Sequence, residues 1–314
     1  MEERLTRKCK RSEENIAIVS YHGKYGTMDM RKIELISPCI YDDITDFTEG
    51  IAIITINGKY GCINADGDII HPCIYDEIST PENGYICACK DGSYGLLSIS
   101  GQEIIPFEYD CTFSMNEGCC CVCKDGKYGF IDQTHTCIIP FIYEDAAQFS
   151  NGLAPVSLDG KWGYIDKTGN TKITFQYDYA YPLSNGLAIV EKKRRYGCID
   201  KLGRTIAPII FEDMQEFHEG LCAIKLQDLW GFIDLNGDSA IPCQYEEVSD
   251  FHKGHSFATT PEGVTYVIDK QGNVLRAINP SAGTIARISE IDKLSAPSMA
   301  TEDASCSKDL PDGI

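Results

Sequence analysis

An all-β array of tandem repeats is the fold class this sequence predicts, and three observations predict it. An aromatic-glycine pair recurs as Tyr25-Gly26, Tyr60-Gly61, Tyr94-Gly95, Tyr128-Gly129, Trp162-Gly163, Tyr196-Gly197 and Trp230-Gly231, spaced 35 residues once and 34 thereafter. A second glycine keeps the same beat at Gly50, Gly84, Gly118, Gly152, Gly186, Gly220 and Gly254. Between these markers lie short apolar runs broken by Asn-Gly or Asp-Gly, which is strand and hairpin chemistry. Fixed self-similarity of this kind marks a repeat architecture. The pattern predicts about eight units of 34 residues with three strands each. A unit of that size buries too little to fold alone, so the units must stack.

Taken in order, residues 1–15 carry mixed charge and no apolar period, and are expected to be a flexible N-terminal tail. The array follows over residues 16–279. Each unit opens on an apolar segment such as Ile51-Ile56, Cys119-Cys123 or Leu153-Leu158. A tight turn comes next: Asn57-Gly58, Asp91-Gly92, Asp125-Gly126 and Asp159-Gly160 supply the positive φ of a two-residue hairpin. Lys193-Arg194 and Gln227-Asp228 depart from that chemistry, which implies a different loop in those two units.

The second segment carries the aromatic-glycine pair and ends in an acid, as in Tyr164-Ile165-Asp166 and Phe232-Ile233-Asp234. Glycine follows that acid, or Asn64 in its place, three residues on at Gly67, Gly169, Gly203, Gly237 and Gly272. Asx at the first position and Gly at the fourth is the type I turn pattern, so these acids are turn-formers before they are catalysts. Apolar residues alternate with no polar face in this segment, so both faces must be covered. A glycine beside the aromatic is expected to let the adjacent unit approach closely, with the rings of Tyr60, Tyr94, Tyr128, Trp162, Tyr196 and Trp230 filling the space next to Gly61, Gly95, Gly129, Gly163, Gly197 and Gly231.

The third segment reads Ile-Pro-x-x-Tyr-Asp/Glu. Proline lacks the ladder donor, so Pro38, Pro72, Pro106, Pro140, Pro208 and Pro242 should mark a strand start or an edge. An irregular loop then passes Phe47, Phe149, Phe217 or Phe251 before the next beat-keeping glycine. Both terminal units are degraded: Met30-Arg31-Lys32 stands where a turn glycine belongs, and Thr265-Tyr266 replaces the last aromatic-glycine pair. Units with one neighbour tolerate such loss. Residues 280–314 are expected to be a mostly disordered tail with room for a short helix over Ile285-Leu294.

Propeller blades usually hold four strands in about 40–45 residues. Shorter units and degraded ends therefore favour an open β-superhelix or solenoid over a closed propeller.

The motif Gly-Lys-Trp/Tyr-Gly-x-Ile-Asp followed by Ile-Pro-x-x-Tyr-Asp resembles the bacterial WG-repeat (KWG-repeat) family. The best matches are Gly160-Lys161-Trp162-Gly163-Tyr164-Ile165-Asp166 and Gly126-Lys127-Tyr128-Gly129-Phe130-Ile131-Asp132. Tyr replaces Trp in most units. The resemblance spans residues 15–279 and implies an all-β repeat array that mediates interactions, with no catalytic residues to carry over.

Totals narrow the function classes. Lys and Arg number 28 against 47 Asp and Glu, a formal net charge of −19, which repels phosphate backbones and anionic membranes and leaves a basic partner. No run approaches the roughly 18 apolar residues of a membrane helix. Sixteen cysteines without a secretory signal at the N-terminus are expected to be reduced thiols, placing the protein in the cytoplasm.

Three kinds of candidate site remain. Cys119-Cys120-Cys121-Val122-Cys123 contains a C-x-x-C, but Ala52, Ile86, Ala154 and Ala188 stand where Cys120 does. Cysteine substitutes there for small apolar fillers, so no metal or cofactor is expected. The second is a partner-binding stripe in register at every unit: Tyr41-Asp42, Tyr75-Asp76, Tyr109-Asp110, Tyr143-Glu144, Tyr177-Asp178, Glu212 and Tyr245-Glu246. Such a surface suits a basic protein partner, and exposed aromatic rows suit a glycan or other ligand as the alternative. The third is enzymatic chemistry. The six histidines fall at scattered phases of the repeat, and no nucleophile elbow, zinc-binding His-Glu-x-x-His or phosphate-cradling loop is present. The expectation is a non-enzymatic interaction scaffold.

Overall fold

The protein's structure is a computed structural model that describes residues 6–12, 15–113 and 115–278. The tail expected over 280–314, with its short helix, lies outside the described residues. Those residues form eight four-stranded antiparallel sheets spanning 6–41, 43–75, 77–109, 111–143, 145–177, 179–211, 213–245 and 247–277. In every sheet the strands lie side by side in chain order. Among the described residues there is no helix.

The fifth sheet shows how one unit is built. Leu153–Leu158 pairs with Lys161–Asp166 through Leu158↔Lys161, leaving Asp159 and Gly160 as a two-residue turn with φ of 52° and 68°. Lys161–Asp166 then pairs with Thr171–Tyr177. A two-residue strand, Asp145–Ala146, adds a fourth strand and third ladder on the other side. The three expected strands are present, and the short fourth arises because the chain leaving Tyr143 pairs briefly as it enters the next sheet.

Lys193-Arg194 and Gln227-Asp228 make the same two-residue turn as Asn-Gly elsewhere, correcting the expectation of a different loop. Lys192 pairs with Arg195 and Leu226 with Leu229. Lys193, Arg194, Gln227 and Asp228 hold φ of 54°, 60°, 52° and 62°. Four side chains thus occupy a region that costs L-residues about 1–2 kcal/mol each. Flanking ladders impose the geometry.

The N-terminal lead-in is also corrected. Thr6–Ser12 is a strand, paired with Ile16–Tyr21, and takes in the first sheet the place that two-residue strands take in most of the later ones.

Stacking follows from alternation. In the fifth sheet Leu153, Tyr164 and Ile173 join a buried cluster with Ala188 and Val190 of the sixth. Ala154, Val156 and Ile165 face the other way, against Phe130 and Ile139 of the fourth. Two loop aromatics fold back on the preceding sheet: Phe149 lies edge-on to Phe130 at 4.8 Å and Phe251 to Phe232 at 4.9 Å. Burying one such ring is worth about 1.5–3 kcal/mol, and an aromatic pair adds about 0.5–1.5. Among the described residues, seven apolar clusters each join one sheet to the next, and none joins the first sheet to the eighth. That is the pattern of an open, solenoid-like array.

The glycine of the aromatic-glycine pair works differently from the expectation. A Cβ on Gly163 would lie 2.6 Å from the Ile173 carbonyl oxygen and 3.0 Å from the Phe175 nitrogen, both in its own sheet. Trp162 pairs with Tyr177 while Tyr164 pairs with Ile173, so Thr174, Phe175 and Gln176 bulge across Gly163. The glycine admits its own third segment, not the neighbouring unit. Proline occupies that bulge in most units, as at Pro106 between Ile105 and Tyr109. It sits on an edge strand as expected but inside it rather than at its start, because the bulge asks for no ladder donor.

Candidate functional site

The tyrosines assigned above to a binding stripe are core residues. Tyr41, Tyr75, Tyr109, Tyr143, Tyr177 and Tyr245, with Phe211 in the same place, are between 2 and 6% exposed. Two extra residues between Ile173 and Tyr177 preserve the side-chain phase, so Tyr177 keeps the face of Ile173 and packs against Ala180 and Leu183 of the sixth sheet. These rings cannot offer a face to a partner. Alternation alone placed Tyr177 on the face of Ile173, so this burial was legible in the sequence and was overlooked.

The aromatic-glycine rings vary more than expected. Trp162 is 6% exposed and Tyr60 36%, while Tyr94, Tyr128, Tyr196 and Trp230 are half-buried. Tyr94 donates to Glu77 Oε2 at 2.8 Å, which pushes its pKa up to about 12. Gly61, Gly95, Gly129, Gly163, Gly197 and Gly231 are all buried beneath their own third segments.

The acids beside the buried tyrosines stand where the chain leaves one sheet for the next, and they hold the seam. Asp76 Oδ1 accepts from Lys59 of its own sheet, and Asp76 Oδ2 accepts from the Asp91 amide at the next sheet's turn at 2.8 Å. Asp42 does the same with Lys24 and Asn57, and Asp178 with Lys161 at 2.5 Å and the Lys193 amide at 2.6 Å. Glu212 accepts from the Asp228 amide at 2.8 Å and pairs with Arg195. Asp110 and Glu144 take the Gly126 and Gly160 amides. Glu246, which leads into the eighth sheet, is exposed. The bond to lysine, then the turn amide, holds the Asp42, Asp76 and Asp178 carboxyls below the usual range.

Turn acids behave as the spacing predicts. Asp166 Oδ1 accepts from the Thr168 and Asn170 amides at 2.9 and 3.0 Å, and Gly169 takes the left-handed corner. The Thr168 hydroxyl and Lys172 hold the Asp166 carboxyl well below the usual range.

A second seam device went unread in the sequence. Glu49 accepts from the Asn83 and Gly84 amides, Glu117 from Gly152, and Glu219 from Lys253 and Gly254, each reaching one sheet along. Lys167 and Lys270 bind the carboxylates of Glu117 and Glu219 at 3.2 and 3.1 Å. The signal was present: a glutamate just before the beat-keeping glycine, with a lysine about fifty residues on.

What faces outward is apolar. Ile40, Ile74, Ile142 and Ile210 are 49, 42, 48 and 48% exposed on the outer edge strands. Each lies two residues after an exposed proline and two before a seam carboxylate, on the same face of its strand. Glu108, Gln176 and Gln244 take the same place in the intervening units. Elsewhere exposed Tyr179 packs on buried Trp162 and beside exposed Tyr181, with ring centroids 4.7 and 4.8 Å apart.

The cysteines of the C-x-x-C run are packed. Cys120 joins the cluster shared with the third sheet, while Cys119 and Cys121 join the one shared with the fifth. Cys120 Sγ donates to the Phe113 carbonyl at 2.8 Å, and burial pushes its pKa up to about 12. Such thiols are poor nucleophiles. Among the described residues no group of three or more His, Cys, Asp or Glu side chains is placed to hold a metal.

The model of the WG containing repeat matches seven consecutive segments: 31–60, 60–94, 94–128, 128–162, 162–195, 196–230 and 230–259. The chain belongs to the WG-repeat family. Its boundaries fall on the aromatic of each aromatic-glycine pair, so a repeat as defined by sequence straddles two sheets. Among curated proteins none matches. Among solved structures, a eukaryotic initiation factor is similar in fold, with a TM-score of 0.52 at 7% identity, covering 88% of each chain. BamB from Moraxella catarrhalis matches 85% of this chain and 94% of its own at 12% identity, with a TM-score of 0.42. Identities this low speak only to architecture.

Proposed function

We propose that this WG-repeat protein is a non-enzymatic, cytoplasmic scaffold that binds another protein along its outer edge strands. The observation carrying this reading is the row of exposed isoleucines at Ile40, Ile74, Ile142 and Ile210, each bordered by a seam carboxylate. Apolar contacts set in a charged border are how protein interfaces are made. The border is acidic, and with a net charge of −19 it selects a partner with a basic surface over nucleic acid or an anionic membrane. The acidic half of the expected stripe is retained in this proposal, and isoleucine takes the place of tyrosine. A partner recovered with the intact chain should be lost with Ile74→Glu and Ile142→Glu together, at unchanged melting temperature. Retained binding by that folded variant contradicts the assignment of the surface.

Glycan binding is the second reading, favoured by the Trp162, Tyr179 and Tyr181 cluster. It predicts sugar binding that survives high salt and is lost in Tyr179→Ala; sugar binding that persists in Tyr179→Ala rules it out.

A further inference from the structure

The glutamate seam device is built with one part exchanged between the fifth and sixth sheets. In the complete form, the glutamate before a beat-keeping glycine reaches the amides 34 and 35 residues on, and a lysine about 50 residues on reaches its carboxylate. Glu219 with Lys253, Gly254 and Lys270 shows it in full, and Glu117 with Gly152 and Lys167 shows it with one of the two amides. Counting on from position 151 gives the Asn185 and Gly186 amides and Lys201. Position 151 is asparagine, and its amide donates instead to the Leu183 carbonyl at 3.4 Å.

Asn185 and Gly186 keep the backbone of the occupied turns, with φ of 54° and 79° against 53° and 83° at Asn83 and Gly84. Among the described residues their backbone N–H groups meet no acceptor, and Lys201 makes no ion pair. A surface cavity of about 330 Å³ opens there, lined by Asn151, Gly186, Lys201 and Arg204. Asp200 also lines it, but its carboxylate is taken by Arg204 at 2.6 Å and by the Leu202 and Arg204 amides.

We propose that the Asn185 and Gly186 amides with Lys201 bind a carboxylate from outside the chain, in the place that Glu117 and Glu219 fill from within at their own seams. Two parallel amides and an ammonium match the two oxygens of one carboxylate. The source is either an acidic side chain of a protein partner or a small free acid. The overall negative charge opposes approach of any anion, so local geometry must supply the affinity.

Amide chemical shifts of the whole protein, titrated with acetate and with a blocked tripeptide bearing one internal glutamate at constant ionic strength, test this. The Asn185 and Gly186 signals should shift and saturate while Asn83 and Gly84, already bound by Glu49, stay still. Asn151→Glu should abolish the response by placing its own carboxylate there, and Lys201→Ala should weaken binding about threefold. Tighter binding of the tripeptide assigns the carboxylate to a partner's side chain, and equal or weaker binding assigns it to a free acid. No saturable shift at Asn185 and Gly186, an equal shift at Asn83 and Gly84, or a response surviving Asn151→Glu overturns the site; unchanged affinity in Lys201→Ala removes that residue from it.

Discussion

At the scale of single residues, the decisive ones are those whose role is to be small or to be charged. Gly163 lies under the carbonyl of Ile173, and a methyl group there meets backbone rather than a yielding side-chain tip. Gly163→Ala is expected to cost about 1–3 kcal/mol, as overpacking does, read as a lower denaturant midpoint at unchanged slope. Asp76 tests the seam. Its pKa is lowered by the bond from Lys59 and then by the Asp91 amide. A carboxyl depressed in the folded state stabilises above its unfolded value of about 4 and loses that contribution as pH falls through the lower folded value. Asp76→Asn should therefore melt earlier than the parent at pH 7, and the two melting temperatures should converge as the pH drops below about 4. A gap that persists in acid means the carboxylate's charge is not what Asp76 contributes.

Single elements show how far sequence carries. The hairpins at Asn57-Gly58 and Asp159-Gly160 were legible because positive φ has a chemical signature. Lys193-Arg194 was not, since the ladders on either side force a turn its own residues resist. Replacing Lys193-Arg194 by Asn-Gly should stabilise the chain by about 1 kcal/mol, visible as a higher midpoint in urea; no gain means the flanking strands have relaxed the turn. Proline was correctly placed on edge strands, but the bulge around it was illegible. Its two extra residues leave the side-chain phase unchanged, so Tyr41, Tyr75, Tyr109, Tyr143, Tyr177 and Tyr245 stay on the inward face of the buried residue four before each, and the candidate site lies instead at the isoleucines beside them. The acids were visible as a stripe, but their bonds run to turns of the next sheet, and contacts across a stack leave no local trace in one unit.

For the molecule as a whole, period and glycine beat were enough to read an all-β stack of mutually dependent units. They said little about function, because what is repeated is what holds the stack together. The proposed sites lie at positions that vary between units: isoleucine at Ile40, Ile74, Ile142 and Ile210 where other units carry Glu108, Gln176 and Gln244, and Asn151, like Asn83 and Asn185, where Glu49, Glu117 and Glu219 supply a carboxylate. Stability in such an array is a sum of unit terms and nearest-neighbour terms, so sheets with one neighbour should open first. Hydrogen exchange resolved sheet by sheet tests this most directly. The first and eighth sheets should exchange fastest and the fourth and fifth slowest; equal protection along the whole chain, or end sheets as protected as inner ones, would contradict an open line of sheets held by their neighbours.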